Sequence, residues 1–248
     1  MNHPNRDIPR MGKYWVRPTK RASMRAPVID HRFQTPNATA CANRTLLHDA
    51  GVLTVGLIGG PGCGKTSLIT ATIERLAPAM RVGVIACDIA SGRDAQRISN
   101  VSSQVVQVNT HDACCTVDAA QIRDALKYLD LKSLNLLIVE HVGNLTRPPP
   151  DVGQDILVTM FSVAGGDDKA DRHPDLVRAA DAVILNKLDL LPAVPFNLMT
   201  FRNDVARIKP GCDVIEISAV KHDGLDRWAH WLRFRTECQT SGARNWFG

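Results

Sequence analysis

Apolar positions along the chain fall into short aliphatic runs that alternate with stretches of helical periodicity. The runs lack regular polar interruptions, which is typical of strands buried on both faces of a parallel sheet. We predict strands over 52–58, 81–87, 104–108, 133–139, 156–163, 182–185 and 213–217. Helices are predicted over 37–50, 66–76, 94–99, 117–129, 176–180, 197–208 and 225–234. This alternation indicates an α/β fold, with a doubly wound, mostly parallel sheet flanked by helices.

A glycine-rich loop separates the first predicted strand from the second predicted helix. Its sequence, Gly59-Gly60-Pro61-Gly62-Cys63-Gly64-Lys65-Thr66, matches the phosphate-loop pattern G-x-x-x-x-G-K-[ST] in the required context. Glycines let backbone N–H groups turn toward phosphate oxygens, and the following helix adds the positive end of its dipole. This predicts a P-loop NTPase, with Lys65 at the β- and γ-phosphates and Thr66 at Mg²⁺. The predicted phosphate-binding residues are Gly60, Gly62, Cys63, Gly64, Lys65, Thr66 and Ser67.

A second motif, Asn186-Lys187-Leu188-Asp189, directly follows the predicted strand over 182–185. The Asp189 carboxylate can accept hydrogen bonds from N1–H and the exocyclic amine of guanine, a donor pair that adenine lacks. Lys187 can lay its aliphatic stem along the base. Ser218-Ala219, after the last predicted strand, supplies a second wall where a backbone N–H reaches guanine O6. These residues, with Asn186, predict GTP as the substrate.

A third motif, Glu140-His141-Val142-Gly143, ends the Leu-rich strand where many GTPases have D-x-x-G. We predict that Glu140 faces Mg²⁺ and the attacking water, and that the Gly143 N–H senses the γ-phosphate. Asp88, at the end of the second strand, is a further predicted Mg²⁺ ligand beside Thr66 and Glu140. No Gln obviously orients the water. Lys65, Glu140 and Gly143 therefore predict slow, Mg²⁺-dependent GTP hydrolysis by positioning and electrostatics.

The net charge of +5 is confined to the start of the chain. Residues 1–36 carry eight Lys or Arg and two Asp, which leaves 22 basic and 23 acidic residues elsewhere. This segment also holds five prolines and lacks apolar periodicity. We predict a disordered basic leader over 1–36, a P-loop GTPase domain over 37–236 and a tail over 237–248. An organelle transit segment or a partner-binding arm are the alternatives for the leader.

Composition also excludes several kinds of partner. Aromatic residues make up only 5% of the chain, which argues against a nucleic-acid reader that stacks bases. No apolar run approaches the ~18–20 residues of a membrane span, and no signal-peptide core is present. The seven cysteines form no C-x-x-C pair, which suits a reducing cytoplasm. We predict a cytoplasmic protein without nucleic-acid or membrane partners.

Together these motifs resemble the HypB family of nickel-incorporation GTPases, which is related to the urease accessory GTPases. The resemblance implies a GTP-dependent homodimer that delivers Ni²⁺ during [NiFe]-hydrogenase maturation. Its implied partners are a nickel metallochaperone and the hydrogenase large-subunit precursor. It also places Lys169 near the nucleotide, with a plain surface lysine as the alternative. The resemblance rests on Ala42-Asn43-Arg44, Gly59–Ser67, Asp88, Asp94–Ile98, Asn109-Thr110, Val117–Ala119, Glu140–Leu145, Asp168-Lys169, Asn186–Leu191 and Ile217–Ala219.

The sequence departs from this family at the expected metal ligands. A family Cys-His pair falls on Cys115-Thr116, a second family cysteine falls on Arg147, and the usual Asn is His141. Cys114 lies beside Cys115, and we predict that this pair binds Ni²⁺ or Zn²⁺, with packing cysteines as the alternative. Two other functions stay open: a nucleotide-gated scaffold without its own metal site, and an accessory GTPase for another metalloenzyme such as urease. The Cys-Pro-His motif of the urease relatives is not present.

Overall fold

A single parallel sheet runs through the protein. The computed structural model describes residues 36–77, 79–88, 92–102, 104–109, 117–141 and 147–241. The strands in these ranges are β1 (Leu53–Gly59), β2 (Val82–Asp88), β3 (Val105–Asn109), β4 (Leu136–Glu140), β5 (Ile156–Ser162), β6 (Ala182–Asn186) and β7 (Asp213–Glu216). These seven strands pair in the order β3-β2-β4-β1-β5-β6-β7, and every pair of neighbours is parallel. The predicted doubly wound sheet is therefore confirmed.

Helices cover both faces of this sheet. Each predicted helix is present with shifted ends, and short 3-10 turns occupy Leu131–Ser133, Val163–Gly165 and Leu188–Ala193. The sequence did not predict the short helix Lys169–Arg172, because four residues cannot display helical periodicity. The helices are α1 (Pro36–Asp49), α2 (Lys65–Leu76), α3 (Gly92–Ser99), α4 (Ala119–Leu126), α5 (Lys169–Arg172), α6 (Pro174–Ala179), α7 (Leu198–Ile208) and α8 (Leu225–Thr240).

Three predicted boundaries are wrong by three residues or more. The strand predicted from residue 133 begins at Leu136, because the Leu131–Ser133 turn closes first. The helix predicted over 117–129 is shorter, because the Asp118 side chain caps its start and accepts a hydrogen bond from the Gln121 N–H. The last helix continues beyond residue 234 to Thr240, so residues 237–240, assigned to a tail, belong to α8.

The sheet separates two main apolar clusters. On one face α2 and α8 pack against alternate residues of β1, and Trp228 of α8 donates its indole hydrogen bond to Thr72 of α2 at 2.9 Å. On the other face α1 and α4 pack together, with Leu47 and Ile122 buried. Because all strands are parallel, their carboxyl ends lie at one edge, where ligands of such sheets bind.

Candidate nucleotide site

The glycine-rich loop joins β1 to α2 at this edge. Gly62 and Gly64 have φ values of +70° and +98°, which favour glycine. A Cβ atom at Gly64 would lie 2.4 Å from Nδ2 of Asn186, and one at Gly59 would lie 2.6 Å from the Met160 carbonyl oxygen. The loop backbone therefore packs too closely against neighbouring strands for any side chain at these two positions.

Lys65, Thr66 and Glu140 converge where the loop becomes a helix. The Lys65 ammonium donates a hydrogen bond to the Gly59 carbonyl oxygen at 2.9 Å. The Thr66 hydroxyl lies 3.5 Å from Oε1 of Glu140, at the outer limit of a hydrogen bond. Glu140 ends β4, beside Leu57 of β1, and only 8% of its surface is exposed. The oxygens of Thr66 and Glu140 fit Mg²⁺, because this ion prefers oxygen ligands.

Several predicted site residues lie at the ends of the described ranges or outside them. Asp88 ends β2, next to β4, although its side chain is outside the described part of the protein. Gly143, Cys114 and Cys115 also lie outside the described residues. Among the residues that are described, no three His, Cys, Asp or Glu side chains are grouped to hold a metal ion.

Asn186 joins the loop to the far side of the site. Its Nδ2 donates to the Cys63 carbonyl oxygen at 2.9 Å, and its Oδ1 accepts from the Ala219 N–H at 3.0 Å. Asn186 and Ala219 are buried. One amide side chain thus fixes the distance between the glycine loop and the loop after β7. The sequence motif identified Asn186, but it gave no sign of these partners.

Asp189 and Ser218 meet at the ends of β6 and β7. The Ser218 hydroxyl donates to Oδ1 of Asp189 at 2.5 Å, and the Leu188 N–H donates to the Ile217 carbonyl oxygen at 3.1 Å. Ser218 is buried and Asp189 is exposed. Lys187 adopts φ +65°, a left-handed conformation that is rare outside glycine and asparagine. Such backbone strain clusters at functional sites. Asp189 and Ser218, two of the five residues predicted around the base, are therefore in direct contact.

Cys63 is a packed thiol. Burial raises the pKa of Cys63, which disfavours the reactive thiolate. Its sulfur would lie 2.7 Å from a Cβ atom at Gly59, so the side chain fills space inside the loop.

Lys169 opens α5 at the same edge of the sheet, beyond the carboxyl end of β5. Its side chain is half-buried, and the neighbouring Asp168 forms an ion pair with Arg172 one helical turn later. Arg147, where the sequence resemblance leads us to expect a cysteine, is exposed.

A cleft of about 550 Å³ extends along α2 from the start of the helix. Predicted nucleotide-binding residues Thr66, Ser67 and Ala219 line one end. Its other walls come from α2, the end of α3 and the loop after β7, and the sequence did not identify them. They comprise Thr70, Ala71, Glu74, Arg97, Asn100, Val101, Val220 and His222.

His141, which follows Glu140, points to the opposite face of the sheet. It is 2% exposed, and burial lowers its pKa to about 4, so its imidazole is neutral at pH 7. Its Nε2 has no hydrogen-bond partner among the described residues. The His141 N–H donates to the Leu57 carbonyl oxygen at 2.9 Å and continues the pairing of β4 with β1.

Comparison with known proteins identifies the family. Residues 53–216 match the family described as CobW/HypB/UreG, nucleotide-binding domain. The probable hydrogenase maturation factor HypB of Methanocaldococcus jannaschii is 35% identical over 186 residues, which cover 75% of this chain and 84% of the relative. The chain belongs to the HypB family. The resemblance seen in its sequence motifs is confirmed.

Bacterial HypB proteins are longer than the region they share with this chain. The hydrogenase maturation factor HypB of Azotobacter vinelandii is 37% identical over 194 residues, 78% of this chain and 64% of its own length. The Archaeoglobus fulgidus HypB crystal structure has 32% identity and a TM-score of 0.74, covering 80% of this chain and 97% of that chain. This HypB-family chain therefore shares the fold and nucleotide-binding domain of its relatives. In its described part, no helix has the length and apolar character needed to cross a membrane.

Proposed function

We propose that this HypB-family chain binds GTP with Mg²⁺ and hydrolyses it slowly to GDP and phosphate. The observation that carries the proposal is the double hydrogen bond of Asn186, which holds the glycine loop and the Ala219 loop at one edge of the sheet. This spacing suits a ligand with phosphates at one end and a flat base at the other. Phosphate recognition belongs to the loop, and base recognition belongs to Asp189 and Ser218.

Each proposed role follows from the position of a side chain. Lys65 and the N-terminus of α2 bind phosphate oxygens, with Gly60, Gly62, Cys63, Gly64 and Ser67 supplying backbone N–H groups. Thr66, Glu140 and Asp88 would hold Mg²⁺, which neutralises phosphate charge when bound. Glu140 orients the attacking water, and the Gly143 N–H binds the γ-phosphate. Lys187 packs along the base, and Lys169 acts on the nucleotide across a homodimer.

For biological function we propose nickel insertion during [NiFe]-hydrogenase maturation, in the cytoplasm. The support is that similar proteins are named hydrogenase maturation factors, among them the Escherichia coli K12 protein, 36% identical over 79% of this chain and 68% of its own length. A structural neighbour, HypB from Helicobacter pylori, was crystallised in complex with nickel. The partners we propose are a nickel metallochaperone and the large-subunit precursor, with Cys114 and Cys115 as Ni²⁺ or Zn²⁺ ligands.

A second candidate is a nucleotide-gated scaffold without its own metal. Thr116 and Arg147 stand where the family resemblance expects a histidine and a cysteine, and Arg147 would place a cation there. A nickel and zinc titration with and without GTP, read with molecular mass, separates the two. Stoichiometric tight binding that the double variant Cys114→Ser, Cys115→Ser abolishes favours metal delivery, and its absence favours the scaffold.

The nucleotide proposal is tested by binding and hydrolysis of GTP against ATP. We expect a clear preference for GTP, and loss of GTP binding in Lys65→Ala, with the exposed Lys132→Ala as the matched control. Asp189→Asn should shift preference toward xanthosine triphosphate, because the amide can donate to the carbonyl that replaces the guanine amine. Equal use of ATP, or a Lys65→Ala protein that binds GTP normally, would refute the proposal.

A further inference from the structure

Helix α1 carries a buried amide that no nucleotide role explains. Asn43 is fully buried, and its Nδ2 donates to two carbonyl oxygens, that of Ala119 at 2.8 Å and that of Val152 at 2.9 Å. The two acceptors are 33 residues apart in sequence. Both donor hydrogens of one side chain thus join α1 to the start of α4 and to the segment before β5.

Local hydrogen bonds fix the start of α4, to which Asn43 donates. Ala119 is the first residue of α4, and the preceding Asp118 forms a reciprocal capping box with Gln121. Arg123 of α4 donates to the Ala42 carbonyl oxygen at 3.1 Å. Because α1 contacts both the first turn and a later turn of α4, a movement of α1 relative to the sheet moves the start of α4.

The segment before β5 approaches α1 closely. Gly153 has φ +104°, and a Cβ atom there would lie 2.7 Å from the Cβ of Asn43. Arg44 pairs with Asp151 at 2.7 Å, and Asp155 lies 2.5 Å from His48. Residues 151–155 are therefore fixed to α1 along their length.

The same segment approaches β1 next to the end of β4 that carries Glu140. The Val152 N–H donates to Oε1 of Gln154 at 2.9 Å, which orients that side chain. A Cβ atom placed on Gly56 would lie 3.3 Å from Cγ of Gln154 and 3.1 Å from Nε2 of His141. The side chains of Gln154 and His141 thus both lie over Gly56, and His141 directly follows Glu140 in the chain.

We propose that Asn43 is a positioning residue that couples the phosphate end of the site to the start of α4. A shift of β4 at Glu140 when the nucleotide changes moves His141 against Gln154, and the Val152 carbonyl moves with that side chain. Asn43 transmits this displacement, because its second hydrogen bond is made to Ala119. The coupling rests on the proposed GTP function, since the nucleotide must first bind at the glycine loop.

Hydrogen exchange measures this coupling directly on the full chain. Amide exchange is compared between GDP with Mg²⁺ and a non-hydrolysable GTP analogue with Mg²⁺, in peptides covering 59–70 and 119–126. In the wild type both peptides differ between the two nucleotides. In Asn43→Ala the difference at 59–70 remains and the difference at 119–126 is lost.

Leu47→Ala is the matched control, because Leu47 is a buried residue of the same helix and lacks the amide. It lowers stability through a cavity but keeps both nucleotide-dependent differences.

If Asn43→Ala does not fold, Asn43→Ser replaces it, since one hydroxyl hydrogen can serve only one of the two carbonyls. Retention of the difference at 119–126 in the folded Asn43 variant, its loss in Leu47→Ala, or its absence in the wild type overturns the coupling. No protection of 59–70 on addition of GTP refutes the GTP function itself.

Discussion

His141 is a buried imidazole next to a predicted magnesium ligand, and its burial has a measurable cost. The ring lies over Gly56, as does the uncharged side chain of Gln154, and burial lowers the pKa of His141 from 6.5 to about 4. Between these values the unfolded chain binds a proton that the folded protein excludes. The free energy of unfolding must therefore fall as the pH decreases through this window, and this group contributes nothing above it.

We expect His141→Gln to remove part of the acid sensitivity of the fold. The pKa difference corresponds to roughly 3 kcal/mol of stability lost between about pH 6.5 and pH 4. Urea unfolding at several pH values measures it, with the exposed His230→Gln as the control. If the free energy of unfolding of His141→Gln falls with decreasing pH as steeply as that of the wild type, the expectation is wrong. The folded protein then takes up a proton on His141 without unfolding.

The hydrogen-bond partners of Asn186 could not be predicted from its sequence motif. The sequence identified this residue and the loops on either side of it. It did not show that one amide accepts from Ala219 and donates to Cys63, because these partners are 33 and 123 residues away. The glycine loop and the loop after β7 are consequently linked through Asn186 without any ligand.

Among the elements, the connection from β7 to α8 depends on backbone geometry. Gly224 precedes α8 with φ +72°, and a Cβ atom there would lie 2.1 Å from the Glu216 carbonyl oxygen. Ser218, within the same connection, bonds to the Asp223 carbonyl oxygen through its N–H at 2.9 Å. The base side of the site is therefore held by a turn that only glycine can close.

Gly224→Ala should destabilise the protein more than Gly211→Ala. Both glycines have positive φ, but a Cβ at Gly211 meets nothing within 4 Å. Gly211→Ala should cost about 1–2 kcal/mol for the left-handed conformation alone. Gly224→Ala must also displace a backbone oxygen, so its cost is greater and GTP affinity should fall with it. Urea unfolding and nucleotide titration of both variants check this, and equal losses would contradict it.

The elements were predicted well and their ends less well. Periodicity found the strands, because burial on both faces leaves nearly continuous aliphatic runs. It placed the end of α8 six residues early, since Arg235 to Thr240 are mostly polar. These residues are nonetheless held, because Gln239 donates to the Val52 carbonyl oxygen at 3.1 Å. A tertiary hydrogen bond extends this helix beyond its apolar stripe.

For the whole molecule, the net charge and the proposed binding of an anionic ligand depend on different residues. Residues 1–36 carry a net +6, while the rest of the chain carries −1. The triphosphate we propose is held by local N–H groups, Lys65 and Mg²⁺, so the bulk charge contributes little.

Removal of residues 1–35 should therefore leave GTP affinity unchanged, while retention on a cation exchanger at pH 7 is lost. The shortened chain still contains all of α1. Isothermal titration with GTP on both forms tests this at matched ionic strength. A markedly weaker affinity in the shortened chain would assign the leader to the nucleotide site, and a loss of partner binding alone would make it a docking arm.

The sequence by itself determined the fold class and the family, and it predicted the residues of the candidate site. These depend on local spacing: apolar runs specify buried strands, and the G-x-x-x-x-G-K-[ST] and N-K-x-D patterns need only their flanking strands. The tertiary structure decided which of these residues touch. Asn186 across the site, Asn43 between α4 and Val152, and His141 above Gly56 all depend on contacts between positions far apart in the chain. Such contacts exist only after the sheet has brought the strand ends to one edge, so no local pattern encodes them.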